Sequence, residues 1–478
     1  MSKKNQNYTN RKQNRFQPER MRGNVFVNNS GKQWLPGENG RAAKVERLLR
    51  GAKEEKKEIA GNMAGYKNSG VEWIGAIPKE WKVMPLKYIT KCKDSQRIPI
   101  DVAKREHGRF PYWGAGGITD YVNSYIFDEE LILLGEDAAP FIDKKRDVAF
   151  LVNDKVWVNN HIHVLKANKD SNASYIRHCL NITQYNEFIM GSVIPKLTQT
   201  DMKKIPIICP PLPEQQRIAD FLDTKCGILD RTIDAVSRQI EDLEKYKKAL
   251  ITKTVTKGIC KKGEPERAMK DSGVEWIGED IPFDWDINRL QFCIDEISER
   301  NYAGKETHIL SLMKDKGVIP YEEKGRVGNI SKTDVTQYKL AYPNTLITNS
   351  MNIIIGSSGI SQYKGCVSPA YYVFKAKPNN DIRYFNYIFA VRAFQNECRR
   401  FANGILEIRL RISSTNLLKI KVPVPSPEEQ QQIADYLDEK CKNIDNRVQK
   451  RRQQLEWLKE YKKSLIFDYV TGKKRVEK

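Results

Sequence analysis

Between Ala219 and Leu250 apolar or small residues return at alternating steps of three and four: Ala219, Leu222, Cys226, Leu229, Ile233, Val236, Ile240, Leu243 and Leu250. A second stretch repeats the rhythm with Ala434, Leu437, Cys441, Ile444, Val448, Leu455, Leu458 and Leu465. Such a period lays an apolar seam along a helix and predicts a coiled coil, with the leucine, isoleucine and valine positions from Leu222 onward as the pairing residues. Pro213 and the cluster Pro425–Pro427 mark the helix starts, Glu214 and Glu428 place negative charge in the first turns, and no Gly or Pro interrupts 228–256. About 40 helical residues reach roughly 60 Å. A lone helix of that length needs a partner, and the matching seam of the other stretch is the obvious one. Lys247 and Lys462 fall at matching seam positions, and Arg451 stands where the first copy has Val236. Polar intrusions of this kind fix register or mark a docking surface. The residues alone fit a spacer and a plain structural stalk equally.

Outside the seams the period shortens. Leu131–Leu134, Val156–Leu165, Thr345–Ile355 and Tyr371–Phe374 read as β-strands, and Ser174–Met190 and Ile382–Phe401 as helices. This predicts two compact α/β domains, each of about 150 residues. The pattern is duplicated. EQQRIADFLDTKC (Glu214–Cys226) and EQQQIADYLDEKC (Glu429–Cys441) share ten of thirteen positions at an offset of 215, which also relates LEKYKKALI (243–251) to LKEYKKSLI (458–466). SGVEWIG occurs at Ser69–Gly75 and Ser272–Gly278, followed each time by a Pro and a second Trp, Trp81 and Trp285. Between these matching ends the wording diverges, so the chain holds two different inserts in two copies of one frame.

Composition adds a partner class. A formal charge of +21 over 478 residues makes a polyanion the first candidate, because neutralising phosphates releases counterions. Residues 1–62 supply +9 of it, from 15 Lys plus Arg against 6 Glu. That polar leader reads as a disordered arm, with a short basic helix over Arg41–Glu58; it is either a nucleic-acid-gripping arm or an appended leader. Met63 would serve as a start for the rest. Nine Cys without a CxxC pair suit a reducing cytoplasm, and neither a disulfide framework nor a zinc ribbon is expected. No apolar run approaches the roughly 20 residues of a membrane span.

The inserts carry basic residues among aromatic and amide residues where loops are expected: Arg97, Lys104, Arg105 and Arg109 near Tyr112 and Trp113 in the first, and Arg300, Asn301, Tyr302, Lys305, Lys324 and Arg326 in the second. Corresponding segments add Lys196 and Thr198, then Arg409 and Arg411. Arg, Lys and Asn have the geometry to read purine edges in the major groove, which makes this set the candidate DNA contacts. Gly114–Gly117 lacks the Lys and Ser/Thr of a phosphate-cradling loop. His161 and His163 share one face of a strand, but with no Cys or third carboxylate nearby in sequence no metal site is expected. The only PP is Pro210–Pro211, outside any methyltransferase tetrapeptide, and the ExK of Glu322–Lys324 has no upstream Pro–Asp. No catalytic constellation stands out.

The VEWIG-x-IP-x-x-W opening, the KLT-x-x-D-x-KKIPI run (Lys196–Ile207), the PPLPEQQ-x-IA-x-FLD helix start and the YKK-x-LI helix end, each matched in the second half, resemble the specificity subunit of Type I restriction–modification systems. The resemblance covers about Met63 to Lys473 and leaves the leader outside the family pattern. It implies that each insert is a target recognition domain reading one half of a bipartite DNA site, and that the two helices form an antiparallel coiled coil acting as a ruler. It also implies two methyltransferase subunits carrying S-adenosylmethionine docked on the chain, and motor-nuclease subunits that use ATP and magnesium. On this reading the chain binds no cofactor itself and is not an enzyme. Its parts are a leader (1–62), the first recognition domain (63–212), the first helix (213–258), a linker (259–272), the second domain (273–426), and the second helix with a basic tail (427–478). A self-sufficient DNA modification enzyme and a coiled-coil scaffold that ignores DNA are the rival readings.

Overall fold

The computed structural model describes residues 65–476 apart from 144, 192–193, 260–262, 264–266, 279, 314–315, 326–333, 352 and 403–409. Its helices are α1 (Ala173–Ile182), α2 (Gln199–Met202), α3 (Leu212–Lys257), α4 (Ile382–Ala390), α5 (Arg392–Arg400), α6 (Ser414–Leu418) and α7 (Pro427–Val470). α3 and α7, of 46 and 44 residues, pack along each other. They run antiparallel, because Lys247 bonds Asp445 (2.7 Å) while Lys462, toward the far end of α7, bonds Asp230 near the start of α3 (2.8 Å). These two ion pairs are one pair written twice at the offset of 215.

The seam residues divide by place. Val236, Ile444, Val448 and Leu458 are buried along the pair, with Leu229, Ile233, Ile240, Leu243 and Leu455 half-buried. Leu222 and Leu437 do not serve the seam alone: each is buried in a globular core, together with the C-terminal end of the opposite helix. Ile466 and Val470 of α7, with Leu465 packed against them, lie in the first core, and Ile251 and Val255 of α3, with Leu250, lie in the second. Each long helix therefore starts against one domain and ends inside the other. Helices of this length gain most of their stability from such packing.

The duplicated phrase builds these seats. SGVEWIG is the connection of a tight hairpin, Tyr66–Asn68 against Ala76–Pro78 in one half and Met269–Asp271 against Asp280–Pro282 in the other. Gly70 and Gly273 sit at φ +77° and +60°, a region open to Gly at no steric cost. The second Trp of each copy is fully buried at a helix start, where Trp81 Nε1 donates to Glu214 (2.9 Å) and Trp285 Nε1 to Glu429 (2.8 Å). Arg475 and Arg267 close on the same two carboxylates, at 2.6 and 2.5 Å. Tyr175 and Tyr384 donate to Val470 O (3.2 Å) and Val255 O (3.1 Å), the last turns of the opposing helices.

Both domains contain a four-stranded antiparallel sheet of one topology, ordered Thr90–Cys92, Ile162–Ala167, Leu131–Gly135, Ala149–Val152 in the first and Ile294–Glu296, Tyr371–Ala376, Leu346–Asn349, Ser358–Ile360 in the second. The first domain adds a second four-stranded sheet built on His107–Gly114 and Gly117–Val122. The second has hairpin-sized sheets instead, Leu310–Met313 with Gly317–Pro320 and Lys339–Ala341 with Gly365–Val367. Four expected elements are shorter than their hydrophobic runs. Val156–Leu165 is two strands parted by a turn in which Asn159 Oδ1 accepts from His161 N (2.8 Å), and Thr345–Ile355 ends at Asn349, whose side chain takes Met351 N (3.0 Å). Ser174–Met190 stops at Thr183, and Ile382–Phe401 breaks at Val391, both β-branched residues in extended conformation.

Candidate nucleic-acid interface

In the first domain the strand His107–Gly114 carries the anticipated aromatic and glycine cluster, its pairing with Gly117–Val122 broken by two register shifts. Tyr112 is 1 % exposed, buried under the segment that follows Arg97, whose Ile100 N donates to its hydroxyl (3.4 Å), and so is not a base contact. Arg105 lies over its ring at 4.2 Å and bonds Ile100 O and Asp120, which fixes that guanidinium in place. Trp113 packs on Phe150 within the apolar cluster between the sheets. Arg109 is exposed, over Phe110 at 5.0 Å, and Lys104 is 79 % exposed. Beside them the structure brings residues that the sequence reading passed over: Tyr121 and Tyr125, 47 % and 39 % exposed, with Phe110 against Tyr125 (5.1 Å) and Lys155 over Tyr125 (4.8 Å). Their signal was alternation within the hairpin, since Tyr121 pairs with Pro111 on the open face.

Arg97 and Lys196 meet at a second feature of this domain. Asp94, Glu136 and His163 come together there, the fold bringing to the histidine two carboxylates that are distant from it in sequence. The buried His163 ring lies between Asp94 Oδ2 (2.7 Å) and Leu197 O (2.9 Å), and Arg97 Nη1 bonds Glu136 (2.6 Å) and Ile162 O (2.9 Å). Both ring nitrogens are thus engaged and a guanidinium already sits on Glu136, so these groups bond to one another. The cluster ties the segment after Cys92 to the segment 195–199, where Leu197 N bonds Glu136 O and Thr198 caps α2. Lys196, 50 % exposed with Glu136 at 3.4 Å, is thereby held at the surface. Thr198 spends its hydroxyl on the cap.

Burial pushes the Asp94 carboxyl upward, but the hydrogen bond and charge of His163 overcome it and bring it down to about 2. A carboxylate depressed in the folded state contributes stability that is present above its unfolded value near 3.8 and lost as pH falls toward 2. We therefore expect about 2 kcal/mol of stability to disappear between pH 4 and pH 2. In urea titrations across that range the Asp94→Asn variant should be weaker at neutral pH and should lack this part of the acid loss. An unchanged acid limb would remove Asp94 from the stability balance.

In the second domain Asn301 is 4 % exposed and holds Glu306 N and O through its amide, so it shapes a loop and does not reach bases. Tyr302 is 70 % exposed, and Lys305 and Arg411 are exposed. Arg300 is exposed and bonds Gln337 (3.0 Å), while Lys324 lies over Tyr321. Arg326 and Arg409 lie outside the described residues. Both domains thus present basic and aromatic side chains on loops and open strand faces, over cores that share no surface residue pattern.

A family model described as the type I restriction modification DNA specificity domain matches the chain twice, over residues 78–245 and 289–456. The chain is 25 % identical over 420 residues to the type I restriction enzyme MjaVIII specificity subunit of Methanocaldococcus jannaschii, which covers 84 % of this chain and 94 % of that protein. Over 144 residues it is 33 % identical to a putative type I restriction enzyme specificity subunit of Haemophilus influenzae, 30 % of this chain and 36 % of that one. Among solved structures it is similar to a chain from work on complex assembly and conformational transition of the type I R-M system, with TM-score 0.56, 15 % identity, and coverage of 83 % of this chain and 99 % of that one.

Proposed function

The chain belongs to the type I restriction modification DNA specificity family as its DNA sequence-specificity subunit, and from that premise we propose that each domain reads one half of a bipartite duplex target while the helix pair sets their separation and seats methyltransferase subunits. One observation carries the reading. Two dissimilar domains are clamped at opposite ends of an antiparallel helix pair by seats that repeat residue for residue, Trp81 with Glu214 and Trp285 with Glu429. Unlike heads suit unlike half-sites, and a repeated frame suits two copies of one partner.

The exposed groups Lys104, Arg109, Tyr121, Tyr125 and Lys196, with the half-buried Lys155, are the contacts proposed for the first half-site, and Arg300, Tyr302, Lys305 and Arg411 for the second. Arg97 and Arg105, already bonded within the fold, act as positioning residues. The half-sites would lie about one helical turn apart on one face of the duplex. Catalysis would belong to partners, with S-adenosylmethionine in the methyltransferase and ATP with magnesium in the motor subunit, and the complex would work in the cytoplasm. No described helix is long and apolar enough to cross a membrane, and the described cysteines are unpaired.

The purified chain incubated alone with labelled S-adenosylmethionine and duplex should transfer no label, and adding the methyltransferase subunit should start methylation at specific sites. Transfer by the chain alone would sink the reading in favour of a self-sufficient enzyme.

A further inference from the structure

The matching sheets allow the halves to be compared position by position. In the first, Leu134 pairs with Ala149 and Gly135 N donates to Val148 O (2.9 Å); in the second, Thr348 pairs with Ser358 and Asn349 N donates to Ser357 O (3.3 Å). One residue earlier, Asp147 of the first half therefore corresponds to Gly356 of the second. Asp147 is held by two lysines of α7, Lys462 at 3.3 Å and Lys463 at 2.8 Å. Their counterparts on α3 are Lys247 and Lys248. Lys247 keeps its cross-helix carboxylate, Asp445, as Lys462 keeps Asp230. The second carboxylate is missing. Gly356 sits at φ +80°, and a Cβ there would meet the Gln395 amide at 2.7 Å, so this position cannot carry an acid of its own.

The space left is a cavity of about 460 Å³ lined by Lys247, Gly356, Asn386, Lys442, Asp445 and neighbours. Asp438, on the same wall, is neutralised by Arg383 (3.1 Å) and Tyr387 (2.6 Å). Lys442 on the cavity wall, and Lys248, which follows Lys247 on α3 but lies outside the lining, are exposed and form no ion pair among the described residues; Lys442 replaces Gly227 of the first half. Asn386 lines the cavity, with its Oδ1 buried beneath the wall and without a hydrogen-bond donor among the described residues. The second junction thus retains the lysines that bind a carboxylate, adds one more, and lacks the carboxylate.

We propose that this cavity receives an acidic side chain from the protein that docks on the helix pair, in the place that Asp147 fills from within the chain in the first half. That the docking protein is a methyltransferase subunit rests on the function proposed above. A free anion would satisfy the lysines alone. A polypeptide segment can place an Asp or Glu on them and cover Ile251 and Ala390 on the cavity wall. The two seats are then alike in fold and unequal in charge.

The test is carbodiimide coupling, which joins an amine to a carboxylate in contact with it, applied to the assembled complex of this chain with the methyltransferase subunit and mapped by peptide mass spectrometry. Lys248 or Lys442 should couple to an Asp or Glu of the methyltransferase subunit, while Lys463 couples to Asp147 as the internal reference. Assembly without that intermolecular peptide, or coupling to a second copy of this chain, would overturn the inference and leave the proposed function standing; failure to assemble would overturn both. The Lys248→Glu variant, altered at an exposed site, should bind one of two methyltransferase copies about tenfold more weakly. Equal loss at both seats, or none, counts against the proposal.

Discussion

Inserting one heptad into each long helix, after Arg238 and after Gln453, should reduce affinity of the assembled complex for its native duplex by about a thousandfold or more. The two sites are equivalent positions of the repeat, and seven residues preserve the seam, so Lys247 still meets Asp445 and Lys462 still meets Asp230. The seats are untouched, because they lie at the helix ends. What changes is the distance between domains, by about 10 Å at 1.5 Å per residue. At roughly 3.4 Å per base pair this is about three pairs, and the duplex turns by about a third of a turn over that length. One head then faces its half-site while the other faces the wrong side of the helix. Binding should fall toward the non-specific level, typically at least ~10³ below the specific one. Fluorescence anisotropy at fixed salt measures the affinity, with thermal unfolding as the control that the pair has formed. Unchanged affinity for the native target would mean that the helix pair does not set the spacing. The same insertion in one helix alone is a different experiment, since it pulls Lys247 away from Asp445 and strains both seats.

The frame was legible in the sequence because duplication displays it directly. The offset of 215 aligns Lys247 with Lys462 and Asp230 with Asp445, and those four residues do form the two cross-helix pairs. Periodicity also placed the seam, but it could not show where a seam position passes from helix pairing to domain core. Leu222 and Leu437 keep the heptad rhythm while lying in the globular cores, because a buried leucine looks the same to the period whatever covers it. Strands and helices were lost at Asn159, Thr183, Asn349 and Val391, where a local turn or an extended β-branched residue interrupts an apolar run that continues in sequence. Candidate contacts were the least legible. Tyr112 and Asn301 have the side chains expected of base readers and are buried, one beneath Arg105 and the other stitching a loop. Residue type gives the chemistry a side chain can perform, whereas its face of the strand decides whether it reaches solvent, and that depends on partners distant in the chain.

Replacing residues 80–205 with the corresponding insert of another family member should change one half of the recognised sequence completely and leave the other half as it was. The apolar cluster between the two sheets and the outer sheet lie within that segment, with Arg109, Tyr121 and Lys196 on its surface, so every contact proposed for the first half-site leaves with it. The exchanged part is held by the helix pair, whose seats on the first side depend on Trp81, Tyr175 and the end of α7. A donor insert must therefore carry a Trp and a Tyr at those places, and a failure to fold would show as loss of the cooperative melt before any binding is tested. Each mismatched base pair costs about 1–3 kcal/mol, so a hybrid faced with the native target should lose about a thousandfold or more in affinity through the first half-site alone. Mapping modified sites across a genome carrying the hybrid would then read both halves at once. A new first half joined to the old second half, at the old separation, is the expected result. If both halves changed, the domains would not be reading independently, and the antiparallel pair would be transmitting conformation between them rather than holding them apart.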